Sequence, residues 1–210
     1  MIQSYFNYHF KPQLTIDDYF VSNSNQKAYK LLFNNINEHS NFFLYGPNKS
    51  GKTHLGLIWK KKFQALQFNN NLNEILNHKK NIFIDNIFQN MIEENIFHII
   101  NHCYLNNLNI LVTSHIPLNK YQFNLTDVSS RLKTFLYIKI NLPDDELLIN
   151  LMIKLLHDKQ IIIKNPKIFK YILRRVHRSY EKVFLLIEKI DKLSLAKKKQ
   201  LTIPLIKELI

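Results

Sequence analysis

Residues 46–53 of this chain have the types and spacing of a phosphate-binding loop. They read Gly-Pro-Asn-Lys-Ser-Gly-Lys-Thr and fit the pattern G-x-x-x-x-G-K-[ST], with an apolar run before them and helical spacing after them. The two glycines let backbone N–H groups face phosphate oxygens, in a chain of 210 residues that has only 3 glycines. Lys52 can place its charge on the β- and γ-phosphates, and the Thr53 hydroxyl can hold Mg²⁺. The motif predicts an ADP or ATP site with Mg²⁺, formed by Gly46, Pro47, Asn48, Lys49, Ser50, Gly51, Lys52, Thr53 and His54.

A carboxylate that could complete this site follows a second apolar run. Asp85 comes directly after residues 81–84, which are typical of a buried strand, and an acid on a strand beside the loop can organise the metal. Thr53 and Asp85 are therefore the predicted magnesium ligands. The next residue is Asn86, whose amide cannot act as a general base. We expect nucleotide binding with weak or no intrinsic hydrolysis.

The hydrophobic pattern predicts how these residues are held. Apolar runs predict strands at 41–45, 81–85, 109–114 and 135–140, and helical spacing predicts helices at 22–38, 52–66 and 93–105. Beyond 142 every pattern is helical, at 144–158, 166–175, 179–195 and 202–210. The alternation predicts an α/β fold with a parallel sheet flanked by helices, followed by a small all-helical domain. We place the α/β domain at 14–142 and the helical domain at 143–210, after an extended segment at 1–13.

Composition narrows the class of protein. Hydrophobic residues make up 46% of the chain, no apolar stretch approaches a membrane span, and the start lacks a secretory signal. The single cysteine, Cys103, fits a reducing compartment, so a cytoplasmic location is expected. The net charge of +13 suits a protein near nucleic acid or an acidic partner. An A/T-rich coding bias, which favours Lys, Asn, Ile, Phe and Tyr, explains that charge equally well.

Several motifs in order resemble one family. After the loop come Asp85-Asn86, then Thr-Ser-His-Ile-Pro at 113–117, Ser-Ser-Arg-Leu at 129–132 and a helical end. This order resembles the AAA+ domain of the DnaA initiators. The triplet Asp-Asn-Ile at 85–87 and the segment 201–208 are similar to the family's short Hda-like members, the regulators of initiator inactivation. The resemblance covers essentially the whole chain, which stops where DnaA would continue into a helix-turn-helix domain, so sequence-specific binding to origin DNA is not expected.

The resemblance implies further site residues. Phe20, Val21 and Asn25 fall in a segment that lies against the adenine base. Thr113 and Ser114 would be near the γ-phosphate as a sensor, with Ser114 counted among the nucleotide-binding residues, although the next residue is His115 where initiators commonly have Asp. Arg131 falls on the arginine finger, a catalytic group that acts in trans on a neighbour's nucleotide. Glu181 occupies the position of the nucleotide-sensing arginine of the lid, and Arg178, one helical turn earlier, would substitute for it.

The N-terminus and the partners follow from the same resemblance. Gln3, Phe6 and Tyr8 resemble a peptide that docks on the DNA sliding clamp, the β subunit of DNA polymerase III. The implied function is an adaptor that represses re-initiation of replication by promoting hydrolysis of DnaA-bound ATP together with the DNA-loaded clamp. Non-specific DNA contact and a homo-oligomer are further expectations.

Two other functions stay open at this point. A helicase- or transposition-type AAA+ loader on single-stranded DNA would need an acid beside Asp85, where this chain has Asn86. A truncated initiator-like assembly factor would not bind the clamp.

Overall fold

The protein is described by a computed structural model over residues 14–34, 40–89, 92–163, 165–197 and 201–210. The strands are β1 (Phe42–Tyr45), β2 (Leu66–Gln67), β3 (Ile82–Ile84), β4 (Ile110–Ser114) and β5 (Leu136–Lys139). The first helices are α1 (Gln26–Asn34), α2 (Lys52–Lys62), α3 (Leu72–Leu76), α4 (Glu93–Leu105) and α5 (Thr126–Leu132), with a short 3₁₀ turn at Leu118–Lys120. The later helices are α6 (Asp145–Asp158), α7 (Lys167–Leu173), α8 (Tyr180–Lys197) and α9 (Ile203–Lys207).

All the strand pairs are parallel, and their order across the sheet is β2-β3-β4-β1-β5. Alternate residues of β1 contribute to two hydrophobic cores, one on each face of the sheet, because successive side chains of a strand point to opposite faces. Phe43 packs with Ile99 of α4 on one face, whereas Phe42 and Leu44 pack with Trp59 of α2 on the other. Both faces of the sheet are thus covered, which is why its strands read as continuous apolar runs. The predicted α/β fold is confirmed.

The helical end of the chain has a core of its own, built from α6, α7, α8 and α9. Two hydrogen bonds to Ser24 join its start to the segment before α1. The Asp144 carboxylate caps α6 by accepting from Leu147 N at 2.7 Å, and it also accepts from Ser24 N at 3.2 Å. Asn141 N donates to Ser24 O at 3.1 Å. The helical lid expected from the sequence is present, while the boundary at 142 stays a prediction. Among the described residues, no helix is long and apolar enough to cross a membrane.

The helix that follows the loop is shorter than predicted. The helix predicted over 52–66 ends at Lys62, because Gln64 has a left-handed φ of 50° and Ala65 N turns back to Lys60 O at 2.9 Å. Leu66, whose spacing fits the helix, instead begins β2, an edge strand beside β3. The sequence analysis missed β2, α3 and α5, which are too short or too polar to show a clear period.

At Gly56, helix α2 packs closely on the sheet. A Cβ atom at Gly56 would lie 2.1 Å from Cζ of Phe83, a fully buried ring on β3. We expect Gly56→Ala to lower the free energy of unfolding by about 1–3 kcal/mol, since overpacking outweighs the better helix propensity of alanine. Urea denaturation measures the change. Adding Phe83→Leu should restore part of the loss, and an unchanged unfolding midpoint in the single variant would contradict the packing argument.

Candidate nucleotide-binding site

The loop at residues 46–51 joins β1 to α2 and turns tightly. Lys49 has φ 62° and Gly51 has φ 86°, both in the left-handed region. A Cβ at Gly51 would lie 3.0 Å from Cε2 of Tyr19, and one at Gly46 would lie 2.9 Å from the Ile140 carbonyl oxygen. Each glycine therefore stands where the backbone passes close to another segment, which is what a phosphate-binding turn requires.

Lys52 begins α2, and its side chain folds back over the loop. Its Nζ donates to Gly46 O at 2.9 Å and to Pro47 O at 2.7 Å. Burial lowers the pKa of Lys52 to about 8, and the nearby Asp85 carboxylate opposes part of that shift. The ammonium is thus held inside the curve of the loop by two carbonyls, in reach of phosphates that would take the place of those contacts.

The Asp85 carboxylate accepts hydrogen bonds from two hydroxyl groups near the carboxyl ends of neighbouring strands. Thr53 Oγ1 donates to Asp85 Oδ2 at 2.9 Å, and Thr113 Oγ1 donates to Asp85 Oδ1 at 2.6 Å. They meet because β3 and β4 are adjacent and parallel and α2 starts beside them. Hydroxyl and carboxylate oxygens are the donor set that Mg²⁺ takes beside nucleotide phosphates, so the residues present fit this metal.

Thr113 and Ser114, the two predicted sensor residues, have different surroundings at the end of β4. Ser114 is fully buried, and its Oγ donates to Ile116 O at 2.7 Å within its own turn. The preceding residue, Thr113, contacts Asp85 instead, because successive residues of β4 point to opposite faces. Thr113 is therefore the residue of this pair that the structure brings to the acid.

Two cavities open on the loop, and Lys49, Lys52 and Thr53 line both of them. The first has a volume of about 670 Å³ and lies on the Asp85 side. Its further walls include the polar residues Asp85, Asn86, Thr113, His115 and Glu181. The second, of about 900 Å³, lies between the loop, the segment before α1 and the later helices. Its apolar walls include Phe20, Val21, Leu147, Leu151, Tyr180 and Phe184. A polar cavity and an apolar cavity thus meet at one phosphate-binding loop.

Comparison with known proteins shows what the chain is similar to. Residues 151–210 match the model of the Hda lid domain. The chromosomal replication initiator protein DnaA of Buchnera aphidicola (subsp. Cinara cedri, strain Cc) is 25% identical over 100% of this chain, which spans 55% of that relative's length. Domain III of Thermotoga maritima DnaA superposes with a TM-score of 0.77 at 17% identity, covering 95% of this chain and 96% of that one. AMPPCP-bound DnaA from Aquifex aeolicus does so with a TM-score of 0.67 at 19% identity, covering 88% and 66%.

Over residues 151–210 the chain is similar to the Hda lid domain, and over its whole length it is similar to DnaA.

Two predicted residues of this Hda-like protein hold the cavity wall in place. Asn25 is buried; its Oδ1 accepts from Ser22 N at 2.8 Å, and its Nδ2 donates to Phe20 O at 2.9 Å. His54 Nε2 lies 2.7 Å from Thr15 O, and burial lowers the pKa of His54, which favours the neutral ring donating that bond. Both residues line the second cavity, and both position the segment that carries Phe20 and Val21.

The helical end of the chain brings the charged residues Glu181 and Lys154 to the two cavities. Arg178 Nε donates to Asp145 Oδ1 at 2.5 Å and its NH2 group donates to Oδ2 at 3.2 Å, so the guanidinium is directed to the start of α6. Among the described residues, Arg178 is not part of the lining of either cavity, whereas Glu181 lines the first. Lys154 of α6 lines the second and lies 3.3 Å from Asp18 Oδ1. No motif singles out Lys154, because a lone lysine on a helix is ordinarily a solvent-exposed residue.

Arg131 lies apart from this site. It is in the last turn of α5, half-buried, with its guanidinium carbon 5.0 Å from the centroid of the Phe97 ring on α4. Neither cavity at the loop includes Arg131 in its lining as far as the described residues go. The predicted clamp-binding residues Gln3, Phe6 and Tyr8 lie outside the described residues.

Proposed function

We propose that this Hda-like protein is a nucleotide-binding adaptor that hydrolyses its own nucleotide slowly and promotes hydrolysis of the ATP bound to DnaA. It would do so together with the sliding clamp loaded on DNA, and so prevent a second initiation. The observation that carries the proposal is a phosphate and metal site whose parts are hydrogen-bonded together, with an amide in place of the acid next to Asp85.

ADP or ATP would occupy both cavities at the loop. The N–H groups of residues 46–51 and the Lys52 ammonium would hold the phosphates, and Thr53 with Asp85 would hold Mg²⁺. The adenine base would lie against Phe20 and Val21 in the second cavity. The AMPPCP in the Aquifex aeolicus DnaA structure, which shares this fold, supports a nucleotide as the ligand.

Slow hydrolysis follows from how Asn86 is held. Its backbone has φ 53°, and its N–H donates to Thr113 Oγ1 at 2.8 Å. Its side-chain amide donates to Gln89 Oε1, and its Oδ1 lies 3.1 Å from His115 Nδ1. An amide so placed can orient a water molecule but cannot accept its proton, so the step that usually starts hydrolysis lacks a base here.

We predict that Asn86→Asp raises intrinsic ATP turnover. Aspartate has nearly the shape of asparagine and tolerates the left-handed backbone, and a general base contributes roughly 10²–10⁴-fold when it is well placed. We expect a rise of at least about tenfold in phosphate release under single turnover. Asn86→Ala is the matched control and should leave the slow rate unchanged. Wild-type turnover on the order of 1 per second without partners would contradict the adaptor function.

We also predict that residues 3–8 act as a detachable clamp ligand. Burying one aromatic ring is worth roughly 1.5–3 kcal/mol, so Phe6→Ala with Tyr8→Ala should weaken clamp binding by well over about tenfold. Surface plasmon resonance on immobilised clamp measures this loss. Asn7→Ala, between the two rings, is the control that should bind normally. If a chain lacking residues 1–10 binds the clamp as well as the full chain does, the assignment fails.

Stimulation of DnaA is the direct test of the whole function. Phosphate release from ATP-loaded DnaA should rise only when this protein, the clamp and DNA are all present. Stimulation that persists without the clamp would favour an initiator-like assembly factor. No stimulation under any of these conditions would reject the proposed function.

A further inference from the structure

The carboxylates of the α/β part of the chain lie toward one edge of the sheet. Among the described residues from 40 to 141, every carboxylate lies toward the edge where the strands end: Glu74, Asp85, Glu93, Glu94 and Asp127. Asp85 follows β3, Glu93 and Glu94 begin α4, Asp127 is in the first turn of α5, and Glu74 accepts from Asn69, which lines the first cavity. The acids of this part of the chain thus share the edge that carries the nucleotide site.

The opposite edge, where the strands begin, is basic, and we name it the amino edge. The helices run back along the sheet and end there, so the last three residues of α2 and the segments before β3 and β5 bring it the lysines Lys60, Lys61, Lys62, Lys79, Lys80 and Lys133. Lys60 donates to Gln67 Oε1 at 3.3 Å, and Lys62 donates to Phe33 O at 3.3 Å. The other four are exposed, and within the described part of the chain they have no carboxylate partner.

A ladder of asparagines holds these basic segments on one surface. Asn81 Nδ2 donates to Phe63 O at 3.1 Å, which ties the residue after Lys79-Lys80 to the residue after Lys61-Lys62. Asn109 N donates to Asn81 Oδ1 at 2.9 Å, and Ser40 N donates to Asn109 Oδ1 at 2.8 Å. The ladder continues to β5, because Leu136 N donates to Asn41 O at 2.8 Å. The backbone that carries the lysines is therefore fixed by the sheet itself.

We propose that the amino edge binds the phosphate backbone of duplex DNA without reading its bases. From β3, beside Lys79-Lys80, to β5, beside Lys133, there are three strand spacings in the sheet order, or roughly 14 Å. Duplex DNA presents about eight phosphate charges over that length. Exposed lysines and amides, with no acid among them in the described structure, suit a hydrated polyanion.

The amino edge and the nucleotide site lie at opposite edges of the sheet. The nucleotide site lies where the strands end, whereas the amino edge lies where they begin, so DNA and nucleotide would not compete for space. The proposal names a surface for the DNA contact expected from the net charge, and it does not depend on nucleotide binding. Its failure would leave the nucleotide-binding adaptor intact.

The test compares two triple variants that remove the same charge. Lys61→Gln, Lys79→Gln and Lys80→Gln alter the amino edge, whereas the control variant carries Lys170→Gln, Lys182→Gln and Lys189→Gln on exposed positions of the lid. Binding of a fluorescein-labelled duplex of random sequence is followed by anisotropy over a range of salt. Unchanged Mg-ADP affinity in both variants shows that each is folded.

We expect the amino-edge variant to bind the duplex on the order of 100-fold more weakly at about 0.1 M salt, with the salt slope reduced by about 0.9 for each lost contact. The control variant should retain at least half of the wild-type affinity. Equal weakening in the two variants would show that the charge acts diffusely and would overturn the proposal. So would an absence of duplex binding by the wild type, including the case where phosphatidylserine vesicles bind through the same lysines.

Discussion

Replacing Lys52 by alanine should reduce the affinity for Mg-ADP by about 10²–10⁴-fold. The side chain would donate charge-assisted hydrogen bonds to two phosphate oxygens, each worth about 1.5–3 kcal/mol, and every 1.4 kcal/mol is about tenfold in affinity. Alanine also leaves the Gly46 and Pro47 carbonyls without the donor that now satisfies them. Isothermal titration calorimetry measures the loss. Lys170→Ala, exposed on α7, removes the same charge elsewhere and should bind normally.

Lys52 should also make the affinity for Mg-ADP fall as the pH rises. Burial lowers the pKa of Lys52 to about 8 in the free protein, and bound phosphates would stabilise the ammonium and raise that pKa. Nucleotide binding therefore takes up a proton above pH 8, so affinity is full below the free pKa and falls by up to about tenfold per pH unit above it. Lys52→Arg, which stays charged, should show a flatter profile. An affinity that does not change from neutral to alkaline pH would mean that Lys52 does not contact the phosphates.

Replacing Arg131 by alanine should abolish stimulation of DnaA's ATPase, a loss of about 10³–10⁵-fold if the residue is an arginine finger. A guanidinium against the γ-phosphate stabilises charge that builds as the bond breaks, and its planar fork holds two oxygens at once. The structure supports action on another molecule's nucleotide, because the described linings of both cavities at this chain's own loop lack Arg131. Phosphate release from ATP-loaded DnaA, with the clamp and DNA present, is the measurement.

Control variants separate a catalytic role of Arg131 from a structural one. Arg131 lies over Phe97, a contact worth about 0.5–1 kcal/mol, so a small loss of stability is expected. Arg175→Ala removes a comparable arginine that lies 3.8 Å from the Tyr171 ring centroid, and it should leave stimulation intact. Arg131→Lys keeps the charge without the fork and should stimulate poorly. Undiminished stimulation by Arg131→Ala would reject the finger, and a loss of own-site nucleotide affinity would indicate a contact in cis.

The sequence by itself determined the parts of this protein whose signals are contiguous. The P-loop is a run of eight residues in which two glycines are sterically required, and the apolar runs of β1, β3 and β4 have both faces buried. Each of these signals involves only residues that are neighbours in the sequence, so each can be recognised without knowledge of the fold. The order of the motifs was enough to predict the AAA+ architecture.

Elements and contacts decided by distant residues could not be predicted in the same way. The two-residue strand β2 exists only because β3 offers it hydrogen bonds, and its residues Leu66 and Gln67 fit a helical continuation equally well. The choice of Thr113 over Ser114 depends on which face of β4 meets Asp85, which is a matter of strand register. A motif alignment places both residues at the same site and cannot separate them.

The tertiary structure also decided where the charges act. Arg178 donates to the lid's own Asp145, 33 positions away along the chain, and its role beside the nucleotide stays a prediction. The amino edge arises only when parallel strands align their starts and antiparallel helices bring α2's lysines back to them. The net charge of +13 indicates that a basic surface can form. Which lysines share that surface depends on the fold, because interacting charges are neighbours in space and not along the chain.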